Sequence, residues 1–117
     1  MTSALASSLT EAGPLILQAF AWDMAPDASH WRYLAQHAQE IADLGVTIIW
    51  LPPAFKGQAG INDVGYGVYD LYDLGEFDQK GTVPTKYGTK DEYLDAIDAL
   101  HEAGIAVAAD IVLNHRM

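Results

Sequence analysis

The sequence predicts an α/β fold, and three observations carry that prediction. Short apolar runs rich in β-branched residues recur along the chain and read as strands. Between them, two segments place apolar residues three or four apart, the spacing of an amphipathic helix. Each helical segment ends on a glycine, Gly45 or Gly104, directly before the next strand. The 117 residues are enough for one domain of common size. With half of them hydrophobic and 19% charged, the composition is that of a globular chain, neither disordered nor fibrous.

The elements follow in order. Residues 1–14 mix small and polar side chains and read as a loose leader. Leu15-Ile16-Leu17-Gln18-Ala19-Phe20 is short and apolar and follows Pro14, which predicts a buried strand. After Pro26 a helix is expected with Ser29 as its N-cap. Trp31, Leu34, Ala38, Ile41 and Leu44 share one face of it, and Gly45 stands where a left-handed stop is needed. Val46-Thr47-Ile48-Ile49-Trp50-Leu51 is continuously apolar rather than alternating, as in a parallel strand covered on both faces. Pro52-Pro53 ends it. A second helix begins at Thr89, where Thr89-Lys90-Asp91-Glu92 matches a capping box. Leu94, Ile97 and Leu100 form its expected buried stripe, and Gly104 closes it. Residues 105–113 are the third strand, with Asn114-His115 at its C-terminal end. Each helix links two parallel strands by a right-handed crossover. Such an order fits either an open doubly wound sheet or part of a (β/α)8 barrel.

Several function classes fall away at this level. A chain without cysteine has no disulfide scaffold, zinc ribbon or cysteine nucleophile. Six Lys and Arg against sixteen Asp and Glu give a net charge of −10, which argues against a phosphate-backbone binder. No apolar run approaches the roughly 18–20 residues that span a bilayer. The first basic residue is Arg32, so no basic n-region of an export signal is visible, and a cytoplasmic protein is expected. Neither nucleic acid nor membrane is expected as a partner. The glycine-rich fingerprints of dinucleotide and P-loop sites are missing, and the serines cluster in the leader and at Ser29, away from any Ser-His-Asp arrangement.

The segment from Ala54 to Gly88 is far longer than the usual βα loop of about 2–6 residues. It holds seven of the ten glycines and four of the six tyrosines, and in a barrel it would lie on the C-terminal face, where active sites are built. Glycines flank Tyr66 and leave its ring accessible, so the ring can stack on the C–H face of a sugar while carboxylates accept from sugar hydroxyls. The plainer alternative is a glycine-rich turn whose tyrosines pack on the barrel top, with Asp70 and Asp73 capping or solvated. At the third strand, period 2 places Asp110, Val112 and Asn114 on one side. Asn114 can offer an amide oxygen to a hard cation such as calcium. His115 can donate to a substrate hydroxyl, while the alternative is a turn-capping Asn beside an exposed His. Trp22 can line a sugar cleft or simply pack. His30, His37 and His101 are expected at the surface or at an interface, without chemistry.

Read together, these segments resemble a known family. They are Gln18-Ala19-Phe20-Ala21-Trp22-Asp23, Trp50-Leu51-Pro52-Pro53-Ala54-Phe55-Lys56-Gly57, residues 63–77 from Asp63-Val64-Gly65-Tyr66 onward, Gln79-Lys80-Gly81-Thr82-Val83, Thr85-Lys86-Tyr87-Gly88-Thr89-Lys90 and Asp110-Ile111-Val112-Leu113-Asn114-His115. In this order they resemble the N-terminal part of α-amylases of glycoside hydrolase family 13, of the bacterial liquefying and cytoplasmic type. Relatives often carry Glu where this chain has Ala21.

The resemblance implies the first three strands and two helices of a TIM (β/α)8 barrel, incomplete, over residues 15–117. It implies an enzyme that cleaves internal α-1,4-glucosidic bonds of starch- or glycogen-type glucans with retention. It also implies calcium as a cofactor, with Asn114 as one ligand. Tyr66 would stack on the sugar and His115 would hydrogen-bond it, with Trp22 and Gln18 near the cleft. Asp110 matches an invariant acid read as structural support. Retaining glycosidases need two carboxylates about 5–5.5 Å apart. In the family these stand at the ends of the fourth and fifth strands, so no catalytic residue is assigned here and the chain alone is expected to be inactive. The competing expectations are a short protein that binds glucan or a partner without catalysis, and a part of a related transglycosylase.

Overall fold

The structure is a computed structural model and describes residues 13–116. The leader expected over residues 1–14 lies, except for its last two residues, outside that range. The described chain forms β1 (Ile16–Gln18), α1 (His30–Asp43), β2 (Ile48–Leu51), β3 (Lys56–Gly57), a 3-10 turn at Gly60–Asn62, β4 (Val68–Asp70), α2 (Lys90–Glu102) and β5 (Ala106–Ala109). β1, β2 and β5 are parallel in that order, with Ile16 opposite Ile48 and Ile48 opposite Ala106. β3 and β4 form a small antiparallel hairpin inside the long loop.

Sequential strands are neighbours, and the two crossover helices pack against each other. One core joins Trp31, Leu34, Ala38 and Ile41 of α1 to Tyr93, Ala96 and Leu100 of α2 and to Ile49 and Leu51 of β2. A doubly wound sheet would reverse its strand order and spread helices over both faces. The winding seen here is that of a barrel wall.

The helix signals hold with local corrections. Gly45 has φ +94° and its N–H donates to the Ala42 carbonyl, which turns the chain sharply into β2. Leu44, expected on the buried stripe, is 64% exposed, because the helix stops at Asp43 and the turn leaves this side chain outside. Ser29 occupies the N-cap position of α1, yet its hydroxyl donates to Asp27 Oδ1 at 2.6 Å instead of capping. The long loop supplies the cap in its place, since the Ala28 and Trp31 N–H groups donate to the Lys86 and Tyr87 carbonyls. In α2 the capping box is present, with Glu92 N–H donating to Thr89 Oγ1 and Thr89 N–H to Glu92 Oε1. Its stripe is Tyr93, Ala96 and Leu100 with Ile97 beside it, whereas Leu94 is 44% exposed. The Trp31 and Tyr93 rings, 4.7 Å apart, set which face turns inward.

The strands are shorter and barer than expected. β1 is exposed along its whole length rather than buried, since it forms a sheet edge. In β2 the continuous apolar run alternates in burial: Ile49 and Leu51 are fully buried against the helices, while Trp50 on the opposite face is 37% exposed. Ile16, Ile48, Trp50, Ala108 and Asp110 line an open trough on that second face. β5 stops at Ala109, and the chain from Asp110 onward leaves the ladder after one last bond from Asp110 N–H to the Leu51 carbonyl. Among the described residues no helix is long and apolar enough to cross a membrane.

Candidate functional site

The long loop is built around three aspartates. Asp63 folds its tip: Oδ1 accepts from the N–H of Gly65 at 2.8 Å and of Gly67 at 3.2 Å, and Oδ2 accepts from Ala59 N–H. Gly65, at φ +119° and packed against Pro53, has a conformation and a space that suit only glycine. Asp70 accepts from Tyr72 N–H and from Gln79. Asp73, expected to cap or to be solvated, is fully buried. Its Oδ1 accepts from the N–H of Gly75, Glu76 and Phe77, and its Oδ2 faces the equally buried Lys56 Nζ at 3.1 Å. Burial works to raise the Asp73 carboxyl, but these N–H groups, Lys56 and Gln79 outweigh it and hold it at about 2.

From this scaffold Tyr66 reaches the strand ends. Its hydroxyl donates to Asp110 Oδ2, the same oxygen that accepts from Trp50 Nε1 at 3.2 Å. Burial, together with the hydrogen bond and charge of Asp110, pushes the Tyr66 phenol up to about 12, so it stays a donor. The Trp22 ring lies parallel to the Tyr66 ring, 4° between planes and 6.2 Å between centroids. Trp22 is 71% exposed and so is no core residue. Trp22, Asn62, Asp63, Val64, Tyr66 and Gly67 line a cleft of about 280 Å³. His115 Nε2 donates to the Tyr66 carbonyl at 2.7 Å.

Tyr66, Trp22 and His115 therefore come together. Gln18 does not join them: its amide donates to the Phe20 carbonyl, just past the end of β1. Asn114 is exposed, in the segment that follows β5. Among the described residues no group of three or more His, Asp or Glu side chains is placed to hold a metal ion. Calcium takes 6–8 oxygens, of which the Asn114 amide would be one.

His30 sits deeper than a residue expected at the surface or at an interface. It is half-buried against the Trp31 and Tyr87 rings, and its Nε2 donates to the Ala19 carbonyl at the end of β1. Burial lowers its pKa despite that bond. Reasoning from the sequence also misses Trp50, Asp63 and Lys56 as parts of this region. Only Lys56 leaves a signal, a lone cation in an otherwise apolar run after β2.

Comparison with known proteins gives the context. The family described as Alpha amylase, catalytic domain matches residues 20–117. An α-amylase of Geobacillus stearothermophilus is 54% identical over 101 residues, 86% of this chain and 18% of that relative. A cytoplasmic α-amylase of Escherichia coli is 52% identical over 104 residues, 89% of this chain and 21% of that relative. This chain thus spans about a fifth of the length of these relatives. Among solved structures, a truncated alternansucrase from Leuconostoc mesenteroides superposes with a TM-score of 0.73 at 30% identity, over 83% of this chain and 10% of that one. The chain belongs to the alpha-amylase catalytic-domain family, and its three parallel strands and two helices are part of a TIM (β/α)8 barrel.

Proposed function

We propose that this chain forms one wall of the glucan-binding cleft of an α-amylase that cleaves internal α-1,4-glucosidic bonds with retention. The observation that carries the reading is the Tyr66 ring, held by Asp110 and His115 at the strand end and flanked by the parallel Trp22 ring. A flat aromatic surface beside hydrogen-bonding groups suits a sugar, which has an apolar C–H face and a rim of hydroxyls. The aspartates around the cleft contribute no chemistry of cleavage. Asp63, Asp70 and Asp73 are bonded within their own loop, and Asp110 is bonded to Tyr66 and Trp50. The role of this segment is to bind and orient.

Within this reading Asn114 gives one oxygen to a calcium ion whose other ligands this segment does not supply. Location in the cytoplasm is supported by the name of the Escherichia coli relative. Hydrolysis is favoured over transglycosylation by three relatives above 50% identity, all named α-amylases.

The test is a chimera in which residues 20–116 replace the matching segment of the Geobacillus stearothermophilus enzyme. It should release reducing sugar from soluble starch. Tyr66→Ala in that chimera should lower kcat/KM by about 3–10-fold, the scale of one aromatic contact of about 0.5–1.5 kcal/mol. A folded chimera without activity, or one indifferent to Tyr66→Ala, would refute the proposal.

A further inference from the structure

The Lys56–Asp73 pair is the most deeply buried charge in the loop, and the binding cleft does not use it directly. Lys56 Nζ has three acceptors: Asp73 Oδ2 at 3.1 Å and the carbonyls of Phe77 and Thr82, each at 2.7 Å. An ammonium has three N–H bonds, so the set is complete. The two residues are joined again through the main chain, where Lys56 N–H donates to the Asp73 carbonyl at 2.7 Å. Gln79 Nε2 bridges Asp70 and Asp73 at 2.9 Å each. This knot closes the base of the β3–β4 hairpin, since Lys56 lies opposite Asp70 in register. One step up the hairpin, Gln58 N–H donates to the carbonyl of Gly67, the residue after Tyr66.

A buried ion pair is a poor device for stability, because desolvating two charges offsets most of their attraction. What it supplies is direction. An apolar pair would fill the same space but leave the Phe77 carbonyl and three amides without partners, and the Thr82 carbonyl with the Gln79 N–H alone. We propose that Lys56 and Asp73 are a positioning pair for Tyr66, fixing the hairpin base from which the ring is presented to the cleft. This rests on the glucan reading only for the use of the ring; the test involves no sugar, so the two ideas fail separately.

The test reads the ionisation of Tyr66 in the 117-residue chain at micromolar concentration. Lys56→Met, Asp73→Asn and Leu100→Ala are each made with and without Tyr66→Phe. The difference in tyrosinate absorbance within each pair isolates Tyr66, and circular dichroism at the same pH monitors the helices. At about pH 10.5 a phenol at about 12 is only about 3% ionised, whereas one at the ordinary value of about 10 is about three-quarters ionised. Lys56→Met and Asp73→Asn should raise the Tyr66 signal at least fivefold while the helices persist. Leu100→Ala removes core packing far from the hairpin and should leave the signal low. Asp73→Asn keeps the side-chain volume and one oxygen for the three amides, so it decides the matter if Lys56→Met does not fold. The proposal is overturned if Tyr66 stays protonated in both folded variants, or if Leu100→Ala frees it equally. It is also overturned if the unmodified chain already shows an ionised Tyr66, or if both pair variants lose their helices, which would make the pair a general prop.

Discussion

Gly57→Ala is the sharpest test of how the loop is built. A Cβ at this position would lie 2.5 Å from Asp63 Cβ and closer still to its carboxylate. Non-bonded carbons rest about 3.5–4.0 Å apart, so Asp63 must move. It has little freedom to do so, because its carboxylate accepts from the N–H groups of Ala59, Gly65 and Gly67. Bonds to a charged acceptor are worth about 1.5–3 kcal/mol each. Water can replace part of them at this half-exposed site, so the expected loss is about 2–4 kcal/mol in total. Gly81→Ala is the control. At φ +81° with nothing within 4 Å of the added atom, it meets backbone strain of about 1 kcal/mol and no clash. Urea unfolding of both variants, followed by circular dichroism, gives the comparison. If Gly57→Ala costs no more than Gly81→Ala, Asp63 does not hold the loop tip.

Three further outcomes are expected. Thr89→Ala removes half of the capping box and should cost about 1 kcal/mol in the same urea assay. His30 has its pKa lowered from 6.5 by burial, so the unfolded chain takes up the proton first as pH falls. Stability should therefore decline as pH drops below about 6.5 and level off below the folded-state value; His30→Gln, which can still donate to the Ala19 carbonyl, should flatten that part of the profile. The 117-residue chain alone should release no more reducing sugar from soluble starch than a boiled control, because each aspartate at the cleft is committed to a structural bond.

What is legible in the sequence is what local chemistry encodes. Thr89 and Glu92 sit three residues apart and can satisfy each other wherever the helix packs, so the capping box reads directly from the pattern. Gly45 is legible for the same reason. Ser29 misleads because a distant segment competes: the carbonyls of Lys86 and Tyr87 take N–H groups at the helix start, and the Ser29 hydroxyl turns to Asp27. Leu94 misleads because helical spacing defines a stripe only to within one residue, and the Trp31 ring selects Tyr93 instead. At the cleft, Tyr66 and His115 stand out by residue type, but what holds them does not. Asp110 is 44 positions from Tyr66 and Lys56 is 17 from Asp73, and no periodicity connects such pairs.

The apolar run of β2 carries a more useful disagreement. Its continuity predicts burial on both faces, yet Trp50 and its neighbours Ile16 and Ile48 stand open on the side away from the helices. In a (β/α)8 barrel that second face points inward, where side chains from successive strands pack in layers. The run therefore records the environment the strand is adapted to, and the excess exposure marks which face a closed barrel would cover. The same row of side chains ends at Asp110, whose carboxylate binds both Trp50 Nε1 and the Tyr66 hydroxyl. Packing of the inward face and orientation of the Tyr66 ring thus share one acceptor, and whatever seats Trp50 also sets where Tyr66 points.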